Sequence, residues 1–243
     1  MQEKQSIFTP AELYVLAGAA DVTHLFGLSE REQILMGDPD CVQNATAHLI
    51  EKSLITETGE LTEGAFQLIE LLKAYQESKG YTRINNLLIG FLPKDEHRVA
   101  VLTEIKPNEE YTVDYIAKRD VYFTLLGRIP FLMREPRETE HTFLTKRMTM
   151  EELETCKEMD LSEKDVLAIE TFIRPSPKSI TGNGKWECVL YFTEGEDFVQ
   201  IDVGRNRYEW VSLYALNKRV FDGLKMKYKK PMDLAGLSLG GVH

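Results

Sequence analysis

The sequence predicts an α+β fold: duplicated αα-βββ-α units forming a mostly antiparallel sheet, with helices packed on it about a pseudo-two-fold. Three observations predict it. Helix-start chemistry recurs through the first eighty residues and again from residue 148. In each half it gives way to runs of strand period joined by short turns. The order of the elements is the same both times.

Thr9-Pro10-Ala11-Glu12 opens the first helix: Thr9 caps, Pro10 sits where its missing N–H is harmless, and Glu12 completes a capping box. Phe8 and Leu13 flank it as a hydrophobic staple. Ser29-Glu30-Arg31-Glu32 is a second capping box, and Asp38-Pro39 opens a third helix with the stripe Val42, Ala45, Leu49, Ile50. Thr62 caps a fourth, with Leu61 and Phe66 as its staple. The buried face of that helix runs through Ile69, Leu72 and Tyr75 to a stop at Lys79-Gly80. From Arg83 the period changes, and Arg83–Phe91, His97–Ile105 and Glu110–Ala117 read as strands. The turns at Pro93–Glu96 and Lys106–Glu109 are short, so these strands form an antiparallel meander. A helix over Lys118–Leu126 follows, stopped near Gly127 and Pro130.

The second half repeats the plan. Thr149-Met150-Glu151-Glu152-Leu153 echoes residues 9–13, with Met148 in the place of Phe8. Leu161-Ser162-Glu163-Lys164-Asp165 echoes residues 28–32 and is expected to open a helix. Lys185–Phe192, Asp197–Val203 and Arg207–Ala215 are strand-like, separated by Glu194-Gly195 and Gly204-Arg205-Asn206. A helix from Leu216 to about Lys225 closes the unit, its Asn217-Lys218-Arg219 standing where Lys118-Arg119-Asp120 stands in the first. The chain thus divides into residues 1–133, with a helical-pair insertion over about 38–80, and residues 134–230. Residues 231–243, rich in Gly, form an expected mobile tail. The six strands are expected to join in one sheet, with helices on one face or at its ends, as one compact domain.

Charge narrows the function. With 39 acidic and 29 basic side chains the chain carries a formal −10. A negative surface repels phosphate, so nucleic-acid or anionic-membrane binding requires a local basic patch. The N-terminus has no signal-peptide core, and the longest apolar stretches, around Leu13–Ala20 and Leu87–Leu92, fall well short of a membrane span. Cys41, Cys156 and Cys188 are odd in number and widely spaced, which gives neither a disulfide framework nor a metal pair. These features point to a cytoplasmic protein with reduced thiols and no stable membrane association. Lys225, Lys227, Lys229 and Lys230 suit a helix C-terminus better than a binding patch.

Catalytic signatures are missing. None of His24, His48, His97, His141 and His243 has the spacing of a zinc motif. No GxSxG elbow accompanies the serines, and Gly182-Asn183-Gly184 precedes a strand, so it is a turn and no phosphate cradle. Glu151, Glu152 and Glu154 suit a helix start, and Cys188 alternates within a strand as a core residue would. We therefore expect no enzyme, no metal and no cofactor.

One alternative is a winged-helix-like DNA-binding regulator. Ala47–Ile55 followed by Gly59–Gly64 has the cadence of a helix–turn–helix. Its charge opposes that reading: residues 1–80 hold 13 acidic and 5 basic side chains, a net of −8, and the candidate helix offers Lys52 alone.

Several stretches together resemble a known family. Thr9-Pro10-Ala11-Glu12-Leu13 followed by Ala17-Gly18-Ala19-Ala20, Leu61-Thr62-Glu63-Gly64 running into a long helix, and Arg83-Ile84-Asn85 running into a meander are similar to the EspG-like chaperones of type VII (ESX) secretion systems. The short, acidic, lysine-bearing chain is closer to the Firmicutes-type branch than to the mycobacterial one. The resemblance implies a non-enzymatic cytoplasmic chaperone or adaptor that binds a helical secreted substrate, of WXG100 or LXG type, and no nucleic acid. Such a role requires an exposed apolar patch with a polar rim. The expected partner-binding residues are Phe131, Leu132 and Met133 after the first unit, with Tyr208 and Trp210 on the last strand.

Overall fold

The computed structural model describes residues 6–37, 39–141, 144–174 and 184–228. The expected tail, residues 231–243, lies outside the described residues, as do Gly182 and Asn183. Four helices come first: α1 (Pro10–Gly18), α2 (Arg31–Gly37), α3 (Cys41–Glu51) and α4 (Glu63–Gln76). Then come β1 (Gly80–Ile84), β2 (Leu87–Gly90), β3 (Arg98–Lys106), β4 (Glu110–Ala117) and α5 (Lys118–Arg128). After two single-turn 3-10 segments, Pro130–Met133 and Glu138–His141, the chain forms β5 (Thr145–Arg147) and α6 (Met150–Glu158). It ends in β6 (Leu167–Ile173), β7 (Lys185–Glu194), β8 (Asp197–Asp202), β9 (Arg207–Val211) and α7 (Leu213–Gly223).

Among the described residues, nine strands make one antiparallel sheet in the order β4-β3-β2-β1-β6-β7-β8-β9-β5. Each half is a four-strand meander followed by a helix, and the halves meet at β1 and β6, with Tyr81 opposite Phe172 and Arg83 opposite Glu170. Apart from the edge strand β5, which pairs with β9, the two meanders mirror each other, an order compatible with duplicated units.

Strand alternation assigns the side chains to two faces. On one face Val99, Val101, Leu167, Ile169, Val189, Tyr191 and Phe198 pack against α5 and α7 through Val121, Leu125, Leu216 and Val220. On the other face Tyr81, Leu88, Ala100 and Leu102 meet the α1–α4 layer, while Phe192, Val199 and Ile201 meet α6. Both faces are therefore covered, where the sequence led us to expect one face or the ends.

Local chemistry explains the helix starts. Thr9 and Thr149 both form full capping boxes, Thr9 with Glu12 and Thr149 with Glu152. Phe8 and Leu13 are both buried, as their staple requires. Glu12 is fully buried and also accepts from Lys52 Nζ at 2.6 Å, which ties α1 to α3. Gly90 lets α4 lie close on the sheet, because a Cβ there would stand 2.5 Å from the Tyr75 ring.

Several expectations are corrected. Arg83–Phe91 is no single strand: Asn85, at φ +50°, and Asn86 turn it into the β1–β2 hairpin. The turn is held because Asn85 donates to Val166 O at 3.1 Å and accepts from Ala168 N at 2.7 Å. The third helix starts at Cys41 with Asp40 as N-cap, beyond Asp38-Pro39. Leu161-Ser162-Glu163 makes only a 3-10 turn, and the following residues form β6, because the edge of β1 is completed by a strand with Leu167 and Ile169 turned inward. Arg207–Ala215 divides at Ser212, whose hydroxyl accepts from Ala215 N and starts α7 three residues before Leu216. β5 and β6, both unforeseen, and the divided hairpin raise the strand count from six to nine. The Leu61–Phe66 staple is not formed: Leu61 packs on the helical layer, but Phe66 is 56% exposed.

Candidate functional site

A broad open concavity lies on the outside of α4, between that helix and the β2–β3 turn, with a volume of about 1010 Å³. Its apolar lining comes from Leu68, Leu71 and Ala74 of α4 and from Leu92 and Pro93 of the turn. Leu68, Leu71 and Leu92 rest on the core beneath, so the floor is rigidly supported. Phe66 and Tyr115, both largely exposed, stand as apolar walls. The rim is charged, with Glu70, Lys73 and Glu77 along α4 and Lys94 and Asp95 opposite.

Hydrogen bonds fix the far wall. Tyr115 Oη donates to Asp95 at 2.5 Å, and the backbone N–H groups of His97 and Arg98 donate to the same carboxylate at 2.8 and 3.0 Å. The tyrosine hydroxyl chiefly, then the two N–H groups, lowers the Asp95 carboxyl to about 2. The Arg98 guanidinium lies 4.9 Å over the Tyr115 ring. On the near side, Thr62 caps α4 through Ala65 N and donates to Ser53 O, which anchors the helix start to the end of α3.

The residues expected to bind a partner do not form one patch. Phe131 packs beneath the α5–α7 face, its ring 5.5 Å from Phe198, and Leu132 is buried in the same core. Only Met133 of that trio is exposed. Tyr208 and Trp210 lie on the opposite face of the sheet, packed with Phe192 and Val199 beneath α6. Leu132 is buried and Phe131, Tyr208 and Trp210 are partly covered for a simple reason: Pro130 starts a 3-10 turn that rolls Leu132 inward, and strand alternation points Tyr208 and Trp210 at α6.

Sequence reading missed the groove because it assigned Phe66 to a staple. The signal was present, because Phe66 shares a helical ridge with Glu70, Lys73 and Glu77, whereas the buried face is Ala65, Ile69, Leu72 and Tyr75.

Other regions offer less. A second concavity of about 390 Å³ between α7 and β7–β8 is lined by cations already engaged: Arg205 on Asp202, Arg207 on Glu209, and Lys185 and Arg219 on Glu187. Lys52, the one cation of the helix–turn–helix candidate, is engaged by Glu12. Among the described residues no cluster of His, Cys, Asp or Glu is arranged to hold a metal, and no helix is long and apolar enough to cross a membrane. Cys156 and Cys188 are free thiols.

Comparison with known proteins adds the wider context. A family model described as a domain of unknown function, DUF5081, matches residues 2–232. The type VII secretion system protein EsaE of Staphylococcus aureus, in strains USA300 and NCTC 8325 / PS 47, is 28% identical over 106 residues. That match takes in 44% of this chain and 47% of EsaE, so it spans about half the length of these curated relatives. Among solved structures, the Mycobacterium tuberculosis type VII secretion system chaperone EspG5, in complex with a PE25-PPE41 dimer, superimposes with a TM-score of 0.54. The superposition covers 93% of this chain and 98% of EspG5 at 10% identity, a likeness of fold.

Proposed function

The chain belongs to the DUF5081 family, and from there we propose that it is a type VII secretion chaperone or adaptor of the EspG kind. It acts in the cytoplasm without catalysis, holding a helical secreted substrate of WXG100 or LXG type until that substrate is exported. One observation carries the reading: a sequence relationship to EsaE and a fold shared with EspG5 over nearly the whole chain converge on the same secretion system. The architecture supports it. A nine-stranded sheet covered on both faces is a stiff platform, and an apolar groove is left open on its helical side.

Co-expression is the test. The full chain, produced together with helical proteins secreted by the type VII system of its own source, should co-purify with one of them as a stable soluble complex. The client should be less soluble when expressed alone. Failure to retain any such client would refute the proposal.

A further inference from the structure

We propose that the groove outside α4 receives an amphipathic helix of the secreted partner that carries lysine or arginine at seven-residue spacing along one flank of its apolar stripe. The inference rests on the chaperone reading and adds the place of contact and the chemistry of the contacting segment.

The apolar half of the argument is geometric. Leu71 and Ala74 line the α4 side of the groove, Gly64 opens its end, and Phe66 stands exposed at its edge. Small residues at 64 and 74 let a second backbone approach, and an exposed Phe in an otherwise solvated ridge supplies an anchor. More than half of the Phe66 surface stays open to solvent. α4 has 14 residues, about 21 Å, so a partner helix of similar length can lie along it.

The charged half selects the partner. Glu63, Glu70 and Glu77 fall seven residues apart, which places them in one row about 10 Å apart along the outer edge of α4. None of the three makes an ion pair among the described residues. Lys73 stands between Glu70 and Glu77, and Lys94 faces them across the groove, while Asp95 is already engaged by Tyr115. The wider surface has the same sign, since residues 1–80 carry 13 acidic and 5 basic side chains. A helix with cations at matching spacing satisfies all three carboxylates at once, whereas an acidic helix is repelled.

Two fluorescein-labelled synthetic helices of about 18 residues test this. They share one leucine stripe, and every seventh flank position is lysine in one and glutamate in the other. Anisotropy titration of the full chain should show the lysine helix binding at least about tenfold tighter, with the preference shrinking in high salt. Phe66→Ser, an exposed change, should weaken that binding about tenfold while leaving the circular dichroism and Tm of the chain unaltered. Glu63→Lys, Glu70→Lys and Glu77→Lys combined should reverse the preference. No binding, equal binding of both helices, or a preference that survives the triple reversal would overturn the proposal. If Phe66→Ser and the triple variant still retain a co-expressed client as the unaltered chain does, the groove assignment fails and the chaperone reading stands. If the unaltered chain retains no client yet prefers the lysine helix, the chaperone reading fails and the groove chemistry stands.

Discussion

Glu140→Ala is expected to be among the most damaging single substitutions in this chain. Glu140 lies in the connection between the two halves and is almost fully buried. Its carboxylate receives the Arg134 guanidinium as a two-pronged clamp at 2.8 and 2.6 Å. It also accepts the backbone N–H of Arg137 at 2.8 Å and that of Leu213, at the start of α7, at 3.0 Å. One side chain therefore joins the connecting segment to the helix that roofs the second half. Burial alone would raise its pKa, but the Arg134 clamp and the two N–H groups outweigh that and hold it below the ordinary glutamate value. Truncation to alanine leaves Arg134, stacked 4.2 Å over Phe198, without its counter-ion and strips two N–H groups of their acceptor. Removing one partner of a buried pair costs about 3–5 kcal/mol. With a urea m-value of about 3 kcal/mol/M, the midpoint should fall by roughly 1–1.7 M. Glu140→Gln, which keeps an acceptor for the N–H groups but loses the charge, should fall in between. The sign with pH follows from the depressed pKa: the stabilisation is present above the ordinary value of 4.5 and is lost as pH falls through the folded value. The gap between the two proteins should therefore narrow in acid. A midpoint shift below about 0.3 M at pH 7 would refute this account of the joint.

Three further outcomes are expected. Gly90→Ala should lower stability by about 1–3 kcal/mol, read as a fall in Tm, because the new methyl group meets the Tyr75 ring; an unchanged Tm would show that α4 is not seated this closely on β2. By carbon-detected NMR the Asp95 carboxyl should titrate near 2, and Tyr115→Phe should move it up towards the ordinary aspartate value; no movement would remove the hydroxyl as the main cause. Leu132→Ala should cost about 2–5 kcal/mol, whereas Met133→Ser, at an exposed site, should stay within about 0.5 kcal/mol. Equal costs at the two neighbours would contradict the inward roll of the Pro130 turn.

The parts of the fold legible in the sequence are those whose causes are local. Thr9 with Glu12 and Thr149 with Glu152 need only residues three positions away to start a helix, and both boxes form as read. β4 was bounded correctly because its period and flanking turn lie in one short window. Asn85 and Asn86 were overlooked because the run around them is apolar on both sides, and an Asn pair turns a chain only when something fixes its backbone. Here the fixing partner is β6, more than eighty residues away, through Val166 and Ala168. β6 was missed for the reciprocal reason: a capping-like start at Ser162 suggests a helix until the open edge of β1 is considered. The candidate site follows the same division. Tyr208 and Trp210, read as anchors, pack partly buried against the α6 cluster, and Phe66, assigned to a staple, faces the groove.

By itself the sequence determined the fold class, the chemistry that starts the helices, the acidity of the N-terminal third and the kinship of its motifs, because each depends on neighbours along the chain or on composition alone. Only the tertiary structure decided that nine strands form one sheet, that helices cover both faces, and which apolar side chains remain exposed. Those outcomes depend on pairing edges and filling volume between residues distant in sequence. Leu132 and Met133 are apolar neighbours in one turn, yet one meets the core and the other meets solvent, because only packing against the α5–α7 face separates them.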